Sequence, residues 1–306
     1  MSKKLIIDWA KKQNSIVIDG AMSLGLEERQ VNLNNKLWTA SAIDYYPEKI
    51  KDVHQAYFYV GANIAIVSTY QASVQGYLDQ GYNVDQAKAL IKRAVQLADE
   101  ARQVSDSIQP KFLAGAVGPY GAYLADGSEY RGDYKLSDKA YREFHHDRLA
   151  VLIAEDCDLL AIETMPNYQE IKAILELLKE LPEIPIWVTC TLKDAKTLSD
   201  GTPFKQVQAL LEANPQVIAY GANCIAPELV TSFLKQVQPT AQKDLVIYPN
   251  SGASYSPEVK EWDAAPHSQQ TFQTYTKQWH KQGAKWIGGC CCTSEPEVRA
   301  IVSSLN

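Results

Sequence analysis

The chain has 306 residues, of which 46% are hydrophobic and 22% charged, the balance of a soluble globular protein able to bury a full core without disulfides or oligomerisation. Its formal charge of −6, from 30 Lys and Arg against 36 Asp and Glu, argues against a general nucleic-acid binder and an electrostatic membrane anchor. No apolar run is long enough to span a bilayer.

The N-terminal stretch MSKKLIIDWAKKQNS carries lysines but no apolar segment of signal-peptide length before Asp8 and Lys11, so the expected compartment is the cytoplasm. Thiols stay reduced there, and the six cysteines read as free, metal-bound or catalytic.

Short β-rich runs recur along the chain. They are 15–20 (SIVIDG), 62–69 (ANIAIVST), 111–118 (KFLAGAVG), 157–164 (CDLLAIET), 184–190 (IPIWVTC), 216–224 (QVIAYGANC), 245–250 (LVIYPN) and 285–290 (KWIGGC). Near-continuous apolar runs suit strands buried on both faces of a parallel sheet. Helical patterns alternate with them at 47–59, 85–104, 137–153, 168–181, 203–211, 227–237, 268–282 and 295–302. The first begins on Pro47 and carries Ile50, Val53 and Tyr57 at helical spacing. Eight strands alternating with eight helices predict a (β/α)8 TIM barrel, against the alternative of an open doubly wound sheet. No linker or repeat divides the chain, so residues 1–306 read as one domain.

In a barrel the active site lies at the C-terminal ends of the strands. The polar residues ending these runs should therefore converge: Asp19, Thr69, Glu163, Thr164, Cys190, Cys224, Asn250 and the cysteines after Gly289. Half of the chain's cysteines stand in one tripeptide, Cys290–Cys292, after Gly288 and Gly289. Strands six and eight are separated only by strand seven, so Cys224 can meet Cys290 and Cys291. Three thiolates with one open position are the pattern of a catalytic Zn²⁺ site, whereas a structural site wants a fourth protein ligand. The two glycines would let the backbone turn sharply. The alternatives are a chance run of small residues, and a phosphate site at a helix start. A phosphate gains nothing from thiols and would be repelled by Glu295 and Glu297. Cys157 and Cys190 read as packing. His145 and His146 point to different faces of one helix and read as part of a solvated surface. RGD at 131–133 would be an adhesion motif only outside a cell. GAVGPYG lacks the spacing of a dinucleotide fingerprint.

These blocks, in order, resemble the homocysteine S-methyltransferases over nearly the whole chain. They are DGAMSLGLEERQ (19–30), LWTASAI (37–43), YPEKIKDVHQAYFYVGANIAIVSTYQAS (46–73), LLAIETMPNYQE (159–170), GANCIAPE (221–228), YPNSG (248–252) and GGCC (288–291). AGAVGPYGAYLADGSEYRGDY (114–134) is similar to the branch that uses S-methylmethionine as methyl donor. The resemblance implies zinc on Cys224, Cys290 and Cys291, with Cys292 standing where relatives usually have another residue. It implies that Glu163 binds the homocysteine amino group and that Asn250 can fill the open metal position before substrate enters; the plainer readings are an interior barrel carboxylate paired with a Lys or Arg for Glu163 and a turn residue of PNSG for Asn250. The N–H groups around Gly20 and Ala21 can take the substrate carboxylate, while Asp19 braces that turn or binds a cation. Trp38, Thr69 and Gln71 are further substrate-contact candidates, and Tyr70, Tyr120, Tyr123 and Tyr130 could offer aromatic faces to a sulfonium. Betaine-using relatives carry tyrosine at the position of Gln71, so the expected donor is S-methylmethionine, with S-adenosylmethionine second. The reading from a different class is a non-catalytic metal-binding barrel; a nearer alternative is the same site acting on another thiol or a selenol. Partners are small molecules, with no nucleic acid and no membrane.

Overall fold

All eight apolar runs become strands of one sheet in the computed structural model, which describes residues 3–105, 109–155, 157–252, 255–256, 261–262 and 269–305. They are β1 (Ile16–Val17), β2 (Ile64–Val67), β3 (Phe112–Val117), β4 (Leu159–Met165), β5 (Ile186–Cys190), β6 (Val217–Asn223), β7 (Asp244–Tyr248) and β8 (Ala284–Ile287). Their order is β1-β8-β7-β6-β5-β4-β3-β2, and every pairing is parallel. A bridge between Ile18 and Ile64 brings β1 to β2, and the Asn63 N–H donates to the Val17 carbonyl at 2.8 Å. The sheet thus closes into the expected (β/α)8 TIM barrel.

The crossover helices start and stop where their sequences direct. Pro47–Tyr59 has proline in its first turn and buries Ile50, Val53, His54, Tyr57 and Phe58, one face at helical spacing. Val84–Gln103 begins with a capping box, in which Asn83 and Gln86 bond each other's backbone N–H groups. Asp138–Ala154 and Tyr168–Leu178 are capped by the Ser137 and Asn167 side chains. Phe204–Ala213, Pro227–Val237, Gln269–Lys281 and Glu295–Leu305 complete the ring. Position 268, where the sequence places the start of the seventh helix, lies outside the described residues.

Two apolar layers hold the barrel. One lies between strands and helices. The other fills the interior with Ile16, Ile64, Phe112, Leu159, Trp187, Val246 and Trp286. A further helix, Lys3–Ala10, was not foreseen. Its Ile6 and Ala10 join the interior layer, and the Trp9 ring lies 4.9 Å from Phe112. Because Ile16, Ile64 and Phe112 begin their strands, this helix stops the N-terminal mouth.

Short elements at the opposite mouth also escaped the periodicity. They are Met22–Glu28, Trp38–Ser41 and Ala42–Tyr45 after β1, Val74–Leu78 after β2, and Tyr120–Leu124 and Ser128–Arg131 after β3. Helices of 4 to 7 residues are too short to show a hydrophobic period.

Candidate active site

Cys224, Cys290 and Cys291 meet at the C-terminal mouth, their sulfur atoms all within 4.8 Å of one another. The Cys224 and Cys291 sulfurs are 3.3 Å apart. Strand β7 is the splint between them: the Cys224 N–H donates to the Tyr248 carbonyl at 3.0 Å, and the Cys290 N–H to the Pro249 carbonyl at 2.8 Å. Such a trio can hold a metal ion. The three thiols act on one another. Hydrogen bonds from Cys290 and Cys291 pull the Cys224 thiol well below its ordinary value, and the same contacts hold the other two well above theirs.

The glycines before the triplet act by yielding space rather than by a positive φ. A Cβ on Gly288 would lie 2.7 Å from the Ile18 Cβ, and one on Gly289 would run into the Thr293 side chain. The left-handed turns fall instead on Cys224 (φ 51°) and Cys292 (φ 59°). A non-glycine residue there costs about 1–3 kcal/mol, held in place by the surrounding strands. Cys292 lines the same cavity but is not one of the clustered three.

Glu163 is 5% exposed and lines the cavity with the three cysteines. Burial pushes its carboxyl up to about 8 despite the hydrogen bond that Tyr248 Oη donates to it at 3.0 Å. Tyr248 in turn receives the Trp187 indole N–H at 3.1 Å and bonds the Thr189 hydroxyl at 2.7 Å. Asn223 links Thr164, the residue after Glu163, to the thiols. Its Oδ1 accepts the Thr164 N–H and its amide donates to Thr164 Oγ1, both at 2.8 Å. The same amide lies 3.8 Å from Cys290 Sγ. Tyr248 and Asn223 were missed by sequence reasoning, although each belongs to a block, YPNSG or GANC, that pointed here.

The cavity measures about 390 Å³ and reaches Gly20, Ala21, Trp38, Gln71, Tyr70, Glu129 and Tyr130. Trp38 packs edge-on to Tyr70 at 6.3 Å, and Tyr130 Oη lies 3.4 Å from Cys224 Sγ. Gln71 lines the cavity while its amide donates to the Lys36 carbonyl at 3.0 Å and the Ala122 carbonyl at 2.8 Å. The Ala21 N–H donates to the Thr293 carbonyl at 3.0 Å. Asp19 is buried, and its Oδ2 accepts the N–H of Ile66 on β2 at 2.9 Å.

Other expected residues stand apart from the cavity lining. Thr69 is fully buried with its hydroxyl on the Ala116 carbonyl at 2.8 Å. The Asn250 side chain accepts the Gly252 N–H at 2.8 Å, as a turn residue does. Tyr120 and Tyr123 pack on Phe144. Cys157 and Cys190 are wholly buried in the core.

His145 corrects the expectation of a solvated helix. His146 is exposed, but His145 is completely buried. Its Nε2 bonds Glu170 Oε1 at 2.8 Å, and its Nδ1 accepts from Arg148 at 3.0 Å. Arg148, also buried, donates to the Tyr70 carbonyl at 2.7 Å and the Gly118 carbonyl at 2.6 Å. Glu170 also accepts the Tyr120 N–H at 2.6 Å. The helix turns this face inward because the loops after β2 and β3 need fixed partners.

The comparisons with known proteins agree with this geometry. A family model described as homocysteine S-methyltransferase matches residues 16–305. The homocysteine S-methyltransferase of Escherichia coli (strain K12) is 44% identical over 294 residues, covering 95% of each chain. The homocysteine S-methyltransferase YbgG of Bacillus subtilis (strain 168) is 40% identical over 295 residues, covering 94% of this chain and 93% of its own. The metallated form of the homocysteine methyltransferase MmuM from Escherichia coli superposes with a TM-score of 0.88 at 42% identity, covering 97% of this chain and 99% of that one.

Proposed function

The chain belongs to the homocysteine S-methyltransferase family and is a methyltransferase; from that premise we propose that it carries a methyl group from S-methylmethionine to the sulfur of homocysteine, forming methionine. S-adenosylmethionine is the second donor. The observation that carries this reading is a single cavity in which three clustered thiols and a buried carboxylate face the same space.

We assign Zn²⁺ to Cys224, Cys290 and Cys291. Zn–S bonds of about 2.3 Å place tetrahedral sulfurs about 3.8 Å apart, which fits sulfurs lying within 4.8 Å of one another. The donor set fits as well, since three sulfurs that compete for protons gain from a divalent cation. Bound there, zinc would supply the Lewis acidity that lets a thiol, with a free pKa of about 8.5, lose its proton at neutral pH.

The chain's own residues do the rest. Glu163 receives the homocysteine ammonium, and a cation beside it would draw its raised carboxyl back down. Tyr248 holds that carboxylate in place. Gly20 and Ala21 border the space for the substrate carboxylate, with the Ala21 N–H already donated to Thr293. Asp19 keeps their turn, and Thr69 and Asn250 serve by shaping the rim. Trp38, Tyr70 and Tyr130 offer aromatic faces to the sulfonium, and Gln71 spans the loops around them. The acceptor sulfur's electron pair makes the new S–C bond as the donor's S–CH₃ bond breaks onto the sulfonium sulfur. S-methylmethionine thereby leaves as methionine. Alignment of the three atoms in the cavity adds to the rate.

Strands from both ends of the chain share one sheet, which supports a single barrel domain. No helix among the described residues is long and apolar enough to cross a membrane; a reducing compartment such as the cytoplasm would keep the thiols available. A selenol acceptor is the second reading, favoured by 35% identity over 305 residues to a selenocysteine Se-methyltransferase of Brassica oleracea var. italica. The test is methionine formation by zinc-loaded protein with homocysteine and each sulfonium in parallel. Turnover with S-methylmethionine is expected; none with either sulfonium would refute the reading.

A further inference from the structure

Glu129 lines the cavity without a task in the scheme above. It sits in the four-residue helix Ser128–Arg131, and the backbone there is fixed from several sides. Asp126 accepts the Ser128 N–H at 2.9 Å. The Thr191 hydroxyl donates to the Glu129 carbonyl at 2.9 Å, and the Asn167 amide to the Gly132 carbonyl at 3.3 Å. Gly121 permits the close fit, since a Cβ on it would lie 2.6 Å from the Glu129 nitrogen.

The side chain is treated differently. Glu129 Oε2 is buried and has no hydrogen-bond partner among the described residues. A buried carboxylate oxygen without a donor costs stability, and burial pushes this carboxyl up to about 7. No relief comes from the cavity itself. Among the described residues its lining includes Glu27, Glu129 and Glu163 but no lysine or arginine. Arg131, on the same short helix, is turned to Asp126, Asp133 and Ser128. A cationic ligand would supply the partner this oxygen lacks among the described residues.

Position says which ligand. Glu129 precedes Tyr130, whose hydroxyl touches Cys224, and its charge is felt at both Tyr70 and Cys224. A methyl transfer between two amino acids brings two ammonium groups, and Glu163 accounts for one. We propose that Glu129 is the second ammonium receptor, binding the α-ammonium of a sulfonium amino acid and so restricting the methyl donor to that class. The proposal rests on the methyltransfer reading above. It explains why the lining holds Glu129 besides Glu163, and it separates amino-acid sulfoniums from sulfoniums that lack an amino group.

The experiment compares wild type with Glu129→Gln and Glu129→Asp, each checked for folding by its melting curve. Two donors are used with homocysteine: S-methylmethionine and dimethylsulfoniopropionate, a sulfonium with a carboxylate but no ammonium. Binding of S-methylmethionine is also measured by calorimetry, without turnover. Truncating one partner of such a charge pair typically costs about 30-fold or more. Glu129→Gln should lose that much in kcat/KM for S-methylmethionine, mainly through KM, with the KM for homocysteine unchanged. Glu129→Asp should recover part of the loss. Dimethylsulfoniopropionate should be used equally by all three proteins, or by none. Equal losses on both donors, or a raised KM for homocysteine, would overturn the proposal. Should the wild type make no methionine at all, the methyltransfer reading fails on its own. The calorimetry still decides Glu129: binding that weakens in Glu129→Gln keeps the assignment, and equal or absent binding removes it.

Discussion

On one side of the cavity every chemical group hangs at, or just past, the end of a barrel strand; on the other, every group is carried by a loop. Glu163, Cys224, Tyr248, Cys290 and Cys291 make the first wall, from β4, β6, β7 and β8. Trp38, Tyr70, Glu129 and Tyr130 make the second, from the segments after β1, β2 and β3. The strand wall takes its precision from the sheet: β7 hydrogen-bonds both cysteine-bearing neighbours, and Asn223 bonds across to Thr164. The loop wall has no such ladder. It is fastened by buried side chains, chiefly Arg148 on the Tyr70 and Gly118 carbonyls and Glu170 on the Tyr120 N–H. The lesson is that one half of the site is inherited from the barrel, while the other is assembled on top of it.

The comparison is broken most severely by removing a thiol. Cys224→Ser, Cys290→Ser and Cys291→Ser should each abolish turnover and lower metal content from near one per chain toward none, read by metal analysis beside the assay. If Cys292→Ser empties the site and Cys290→Ser does not, the register within the triplet is displaced by one residue. Stripping the metal with a chelator should act on one wall only. Calorimetry should then show homocysteine binding lost and S-methylmethionine binding kept; loss of both would mean the walls form one unit.

Glu163→Gln comes next. Its kcat/KM for homocysteine should fall about 30-fold or more, with metal retained and a thiol lacking the amino group less affected. Equal losses for both thiols in a destabilised protein would make Glu163 a structural carboxylate. The loop wall is probed by Gly121→Ala. The added Cβ would meet the Glu129 nitrogen and the Tyr134 ring, each at 2.6 Å. Overpacking of this kind costs about 1–3 kcal/mol, so the melting point should drop by several degrees and the donor KM should rise while metal stays bound. A drop in metal content would erase the distinction between the walls. The smallest effect belongs to Cys292→Ser, which should change neither metal content nor rate.

The sequence was most informative where the strand wall stands. Each β-run showed its apolar stretch, and the residue that ends it marked the rim, so Glu163, Cys224 and the GGCC cysteines could be placed before any coordinates. Asn223 and Tyr248 were hidden because an amide or a phenol inside a strand run looks like ordinary packing; only the cross-strand partner shows its role. His145 was misread because helical periodicity gives an angle around the axis but not what packs there. Glu129 and the clamp around it were illegible for a different reason. Helices of a single turn leave no period, and their register is set by Gly127 and Gly132, both at positive φ, and by Asn167 reaching from a distant segment.

The Lys3–Ala10 helix that stops the far mouth has a practical side. The reactive face and this plug lie at opposite poles of the barrel, so a tether fused ahead of Lys3 would leave the cavity pointing away from whatever it is fixed to. A bead or sensor surface coated through that end would present every catalyst outward, with substrates reaching it from solution unhindered. The Trp9 ring against Phe112 would serve in the same device as a built-in gauge, because its fluorescence would change if the attachment pulled the plug from its seat.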